Sequence, residues 1–289
     1  MDNSGISESL LKKQYKENNY MIQDNDSVDE DTDEVVVIYF SSNGLFYPDN
    51  DEEFTDTIMN RDRYEWETIR IHNVRKSIWV RDIYKQYYVS GINESIDSMD
   101  KLIDFLRNLV PDGYRIYTVG SSAGGYAALV VGLSLRADVI IDFCGQNSLK
   151  KIFEERKMIN KSGSDQSVTK FFETSRLFED DGINSSEQSI YYIYSDENIE
   201  DKTQAEYIKD KKVRFIPMKS KIHGASMLKP TMQWLINISE EDRKAFYLKN
   251  KGRVLSPLML NIKVGGVRGT VMYIFQEVKR IVMKKSKDW

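Results

Sequence analysis

The chain has 289 residues and 40 % hydrophobic content, enough for one large α/β domain with a real core or for two small ones. Its net charge of −4 offers no basic field for nucleic acid, and its single cysteine, Cys144, excludes an intramolecular disulfide and suits a reducing compartment. With no run of about 18 apolar residues, no signal-peptide pattern and no Cys/His cluster of metal-binding type, the expectation is a soluble cytoplasmic protein that holds no metal.

Residues 1–34 are hydrophilic and end in an acidic block from Asp24 to Glu34, which reads as a disordered segment with at most a short helix near Ser7 to Tyr20. Order is expected from Val35-Val36-Val37-Ile38-Tyr39-Phe40, a β-branched and aromatic run that suits a strand buried on both faces. The turn Ser41-Ser42-Asn43-Gly44 follows. Asp49 to Glu65 reads as irregular or weakly helical, Thr68 to His72 as a short strand, and Ser77 onward as a strand leading into a polar, aromatic loop. In that loop Arg81 and Tyr84 are candidates for binding a polar substrate; the plainer reading of Arg81 and Asp82 is an ion pair that pins the loop. His72 precedes the middle of the chain and suits packing better than base catalysis.

Asn93 to Leu109 carries Ile96, Met99, Leu102, Ile103, Leu106 and Leu109 at helical spacing, with Asn93 as the expected N-cap. Then comes the stretch that carries the chemistry. Arg115 to Val119 reads as a strand and Ala127 to Val131 as a buried helix; between them lies Gly120-Ser121-Ser122-Ala123-Gly124. Gly-x-Ser-x-Gly between a strand and a helix is the nucleophile elbow, with Ser122 on a strained turn above the sheet edge. The glycines are needed because the flanking backbone passes too close for a Cβ. The amide of Ala123, at the helix start, would face a developing oxyanion, and the turn after the first strand, at Asn43 or Gly44, is the natural source of a second donor.

Ala137 to Gly145 is the next strand, and the alternation of strands with helices implies a parallel sheet. From 146 to 188 the strand pattern lapses; short helices at Lys150–Phe153 and Thr169–Phe172 would form a cap-like insertion over the pocket. Ser189 to Ser195 resumes the sheet, the acidic loop Asp196 to Asp201 follows, and Val213 to Met218 is the last strand, leading to His223. A serine needs a base, and the base an orienting acid. The order Ser122, acid, His223, each just past a strand, is the order of an α/β-hydrolase triad. Asp196 and Asp201 both compete for the acid, with Glu197 and Glu200 further alternatives; Asp201, ahead of a helix, could instead be an N-cap.

From about Val35 to Pro230 the chain resembles the α/β-hydrolase superfamily, and within it the hydrolase-like proteins of bacterial capsular and surface polysaccharide biosynthesis. The residues that carry the resemblance are Phe40-Ser41-Ser42-Asn43-Gly44, Arg61-Asp62-Arg63-Tyr64-Glu65-Trp66, Arg81-Asp82-Ile83-Tyr84-Lys85-Gln86, Val119 to Ala128, and Ile222-His223-Gly224. That group has an Asp-x-x-Gln ahead of the last strand, here Asp201-Lys202-Thr203-Gln204, which tilts the choice of acid towards Asp201. The resemblance implies a mostly parallel sheet flanked by helices over 35–250, a Ser-His-Asp triad and, by association only, an acylated sugar or surface-polysaccharide precursor as the substrate. The expected function is esterase or deacylase chemistry without a cofactor. An acyltransferase with the same triad, and a non-catalytic glycan-binding or assembly component, are the alternatives.

The tail, 251–289, places Val267, Val271, Ile274, Phe275, Val278 and Ile281 on one helical face and ends in Lys279, Arg280, Lys284, Lys285 and Lys287. It reads either as a helix that docks its apolar face on the body, its basic end complementing the dipole, or as one that contacts an anionic membrane or a partner protein. The docking reading is the plainer.

Overall fold

The run Val35–Phe40 lies inside a sheet, flanked on both sides by parallel neighbours and buried at every position. The computed structural model describes residues 5–25, 34–155, 171–179, 188–224 and 226–285. Among these, seven strands form the sheet: β1 (Tyr20–Asp24), β2 (Val35–Phe40), β3 (Lys76–Val80), β4 (Arg115–Ser121), β5 (Val139–Phe143), β6 (Ser189–Ser195) and β7 (Arg214–Met218). Their order is β1-β3-β2-β4-β5-β6-β7; β1 runs antiparallel to β3 and every other pair is parallel.

Alternation along β2 explains why all six of its residues are apolar. Val36, Ile38 and Phe40 face one core, with α3 (Met99–Leu109) and α4 (Ala123–Ser134) over it. Val35, Val37 and Tyr39 face a second core, closed by Tyr64, Trp66 and α8 (Lys229–Asn237). Because both faces are covered, the C-terminal ends of β2, β4, β5, β6 and β7 form one edge where loops converge, the usual place for a site in a parallel sheet.

The remaining helices are α1 (Glu8–Tyr15), α2 (Asp51–Phe54, continued as a π-helical turn to Asn60), α5 (Lys150–Glu155), α6 (Thr174–Leu177), α7 (Ile199–Glu206), α9 (Glu240–Asn250) and α10 (Pro257–Lys285). Several expectations are corrected. The first 34 residues are not structureless throughout: α1 and β1 lie within them, and Asn19 is fully buried, its amide donating to the carbonyls of Gln14 and Ile92. The rest of the acidic block, 26–33, lies outside the described residues. Thr68 to His72 is not a strand, because its backbone groups are taken by side chains: the Ile71 amide donates to the Tyr39 hydroxyl at 2.7 Å and the His72 amide to Asn237 at 2.8 Å. Helix α3 starts at Met99, capped by Ser98; Asn93 turns its side chain onto the amides of Ser95 and Ile96 and closes a local turn instead.

The cap-like insertion falls largely on 156–170 and 180–187, outside the described residues. Its described parts join the core: Leu149, Phe153 and Phe171 pack with α4, and the Tyr126 hydroxyl donates to the Phe171 carbonyl at 2.7 Å. Phe171 and Phe172 are not helical. Helix α10 is broken at Gly266 (φ 71°, ψ 166°) into two halves. The first half is anchored by Leu260 in the core and by Asn261, which accepts from Thr231 at 2.8 Å. The second half meets the body through Thr270 and Tyr273, and not through Val267, Val271, Ile274, Phe275 and Val278, which stay exposed. The docking reading of the tail is therefore overturned for that half.

Candidate active site

Strand β4 ends and helix α4 begins at Ser122, whose backbone (φ 54°, ψ −117°) lies in a region that non-glycine residues avoid. The strain is held by the surroundings: the Ser122 amide donates to the Phe143 carbonyl at 2.8 Å, and its carbonyl accepts from the Tyr126 amide at 3.0 Å. The turn tolerates no side chain on either flank. A Cβ on Gly120 would run into the carbonyl of Gly124, and one on Gly124 into that of Phe40.

Ser122 Oγ lies 2.8 Å from His223 Nε2, and His223 Nδ1 lies 2.5 Å from Asp201 Oδ1. A ring nitrogen that faces a carboxylate carries the proton, so Nε2 is the acceptor and the Ser122 hydroxyl donates to it. The His223 loop after β7 is laced to the loop after β6: Ser195 Oγ donates to the Ile222 carbonyl at 2.8 Å, and Asn198 Nδ2 to that of Lys221 at 3.1 Å.

Asp201 stands in the first turn of α7, but Asn198 is the cap, accepting from the Asp201 amide at 3.0 Å. That leaves the Asp201 carboxylate for His223 and for the Ser195 amide at 3.2 Å, almost wholly shielded from water. Asp196 takes no part: it pairs with Lys202 at 3.5 Å on the surface side of the loop. Glu197 and Glu200 likewise make no bond to His223 among the described residues.

Of the expected oxyanion donors, Ala123 is the first residue of α4, where an amide has no intrahelical partner. The loop after β2 abuts the elbow, since the Phe40 and Ser41 backbone crowds Gly124. Within it the Gly44 amide is already spent on Ser42 Oγ at 3.0 Å, whereas the Asn43 amide makes no hydrogen bond among the described residues. The loop is fixed by Glu65, which accepts from both the amide and the hydroxyl of Ser42 at 2.7 Å. Burial raises the Glu65 carboxyl above its ordinary range, against these two hydrogen bonds.

Arg81 and Tyr84, the two expected substrate ligands, are both engaged by the protein's own side chains. Arg81 is buried, pairs with Asp62 at 2.7 Å, donates to Asn19 and to the Arg63 carbonyl, and lies over the Tyr64 ring. Tyr84 packs against Tyr15 with centroids 4.7 Å apart and the rings tilted by 54°, beside a satellite core of Phe46, Phe54 and Ile83. Asp82 gathers the amides of Tyr84, Gln86 and Tyr88 at 2.6–3.0 Å, so this loop folds onto its own carboxylate; burial pushes that carboxyl up to about 6. His72 is exposed and meets Gln233, away from the triad.

Gln146 and Asp142 join the site without any signal in the sequence, and Gln204 of the Asp-x-x-Gln pattern gains a role. Gln146 Nε2 lies 3.4 Å from His223 Nε2, while its Oε1 is buried without a partner. Gln204, one turn beyond Asp201 on α7, accepts from the amides of Asn147 (2.7 Å) and Ser148 (2.9 Å) and so holds the loop that presents Gln146. The Asp-x-x-Gln spacing thus has a physical reading: the Asp orients the histidine and the Gln pins the loop beside it. Asp142, at the end of β5, is fully buried with Oδ1 on the Gly145 amide (2.7 Å) and Oδ2 unpartnered. Burial first, and then the Asp201 charge, push its carboxyl up to about 8. Nearby Cys144 is held un-ionised by burial, with the Asp201 carboxylate adding to the effect. Among the described residues no group of three or more His, Cys, Asp or Glu is arranged to hold a metal ion.

No protein-family model and no curated protein matches this chain. Among solved structures it is similar to a capsule O-acetyltransferase of Neisseria meningitidis serogroup A, determined with caged gadolinium, at 14 % identity over 81 % of this chain and 90 % of that one, TM-score 0.50. Esterase B from Lactobacillus rhamnosis is 13 % identical over 83 % of this chain and 88 % of that one, TM-score 0.44. At this identity the likeness speaks for the fold alone, and the fold is α/β-hydrolase-like, as the strand order and elbow indicate.

Proposed function

We propose that this chain is a serine esterase or acyl transferase acting through Ser122, His223 and Asp201. The observation that carries the reading is the continuous chain of contacts from Ser122 Oγ to His223 Nε2 (2.8 Å) and from His223 Nδ1 to Asp201 (2.5 Å). Ser122 Oγ attacks the ester carbonyl and its proton passes to His223 Nε2. The amides of Ala123 and Asn43 receive the oxyanion. Collapse expels the alcohol, which takes the proton back from Nε2 and leaves an acyl group on Ser122. Water, or a sugar hydroxyl, then attacks the acyl carbonyl, giving its proton to the same nitrogen; collapse breaks the bond to Ser122 Oγ, which takes that proton back from Nε2 as the carboxylic acid, or the new sugar ester, departs. Asp201 holds the tautomer throughout and stabilises the transient imidazolium. No step calls for a metal or an organic cofactor.

An acylated sugar or surface-polysaccharide precursor is the substrate class we propose, with a cytoplasmic setting. Its support is the residue-level resemblance to polysaccharide-biosynthesis hydrolases and the capsule O-acetyltransferase with which the chain shares its fold. Separation of Ser122 from His223 would favour the non-catalytic reading; their 2.8 Å contact supports the catalytic one. The test is labelling by a fluorophosphonate serine probe. Wild type should label, and folded Ser122→Ala and His223→Ala should not; a folded, unlabelled wild type would favour glycan binding on a retained hydrolase scaffold.

A further inference from the structure

The second half of α10 presents an apolar stripe that points away from the body. Val267, Val271, Ile274, Phe275, Val278 and Val282 recur at three- and four-residue steps, and each is between 41 % and 66 % exposed. The residues through which this segment meets the body, Thr270 and Tyr273, occupy another face: Thr270 is buried and accepts from Asn261 at 3.0 Å, and the Tyr273 hydroxyl sits against the Lys229 backbone. A contiguous apolar stripe of this length left in water marks a surface that something covers.

Charge says what. Residues 267–285 carry five basic side chains, Arg268, Lys279, Arg280, Lys284 and Lys285, against one acid, Glu277, in a chain whose net charge is −4. Exposed Arg268 and Lys279 border the stripe, and Glu277, one turn beyond Tyr273 and off the stripe, is paired with Arg280 at 2.8 Å. A second copy of the helix laid on this stripe would bring basic borders together with no acid to answer them, the opposite of what a self-pairing helix arranges at its flanks. Among the described residues no helix is long and apolar enough to cross a membrane. An amphipathic helix with an aliphatic and aromatic face, basic flanks and too little total hydrophobicity to span is the pattern of a helix lying in a lipid interface.

We infer that the second half of α10, beyond the break at Gly266, is an interfacial helix that seats the protein on an anionic lipid surface. The inference is independent of the chemistry proposed for Ser122. The stripe enters the acyl boundary while Arg268 and Lys279, which flank it, meet lipid phosphates.

The experiment is flotation of the full-length protein with phosphatidylcholine vesicles, with and without phosphatidylglycerol. Wild type should float with the anionic vesicles, stay behind with the neutral ones, and detach as salt is added. Phe275→Ser/Val278→Ser should lower the bound fraction about tenfold or more, as expected for withdrawing two apolar side chains from the interface. Arg268→Glu/Lys279→Glu should do the same on anionic vesicles, while both variants keep wild-type circular dichroism and fluorophosphonate labelling. Absence of wild-type binding, equal binding to both vesicle types, or unchanged binding of Phe275→Ser/Val278→Ser would each overturn the inference. A stable dimer that dissociates in Phe275→Ser/Val278→Ser, without vesicle binding, would overturn it in favour of a protein interface.

Discussion

The carboxylate of Asp201 faces His223 with Oδ1 at 2.5 Å and receives the Ser195 amide on Oδ2 at 3.2 Å. Both oxygens are occupied, so the carboxylate cannot swing away from the imidazole, and Asn198 relieves it of the capping duty its place in α7 invites. Asp201→Asn should therefore lower kcat/KM about 10⁴-fold, the scale expected when the histidine loses its correct tautomer. Asp196→Asn, which touches only a surface pair with Lys202, should stay within about twofold. Steady-state kinetics on a chromogenic acetate ester measure both, and equal loss in the two variants would sink the assignment of the acid.

Gln146 should matter to turnover without being needed for an activated serine. Its amide nitrogen lies 3.4 Å from the nitrogen that shuttles the proton, where the leaving or attacking oxygen must come. Gln146→Ala is expected to reduce kcat/KM roughly tenfold, the worth of one hydrogen bond in the transition state. Wild-type kinetics in that variant would show that the contact is incidental.

Arg81 separates a binding role from a structural one. Because it is buried against Asp62, Asn19, Arg63 and Tyr64, Arg81→Ala should lower unfolding free energy by roughly 2–4 kcal/mol and leave KM near the wild-type value. Urea titration alongside kinetics checks this; a raised KM at unchanged stability would restore the substrate-binding reading.

Asp142 predicts a pH dependence of stability. Its native carboxyl is raised to about 8 by burial and by the nearby Asp201 charge, against about 3.9 in the unfolded chain. Between these values the native state holds a proton that the unfolded state lacks, so stability falls as pH rises and levels off above the native value. Asp142→Asn has no such proton to lose. Its stability relative to wild type should therefore increase from pH 5 towards about 8 and stay constant beyond. Urea midpoints across that range test it, and a pH-independent difference would show that Asp142 is not proton-bound in the native state.

What was legible from the residues alone follows how local the cause is. Ser122 could be found because the elbow is a local steric problem solved by Gly120 and Gly124. His223 could be placed because few histidines exist and strand order puts it at the right edge. Asp196 in the loop and Asp201 in the first turn of α7 are five residues apart; the Asp-x-x-Gln pattern tilts the choice, and side-chain direction, with Asn198 taking the cap and Asp196 turned to Lys202, decides it. The pinning role of Arg81 is legible but its partners are not: Asp62 replaces the adjacent Asp82, and Asn19 comes from a segment whose composition reads as disordered. The exposed stripe of α10 has the same periodicity as a buried one; which face meets the body is decided by Thr270, Asn261 and Thr231, a long-range contact that no spacing reveals.

The short strand β1 has a consequence of its own. It pairs antiparallel with β3 from Tyr20 opposite Val80 to Asp24 opposite Lys76, on the side of β3 that faces away from β2. It is an edge guard. Trimming the chain to the first long hydrophobic strand at Val35, as its acidic leader invites, would strip the hydrogen-bonding rim of Lys-Ser-Ile-Trp-Val and present it to any passing strand. It would also remove Asn19 from beneath Arg81. The trimmed protein would be sticky as well as weakened, and a hydrophilic stretch that looks dispensable is what keeps the sheet from growing into its neighbours.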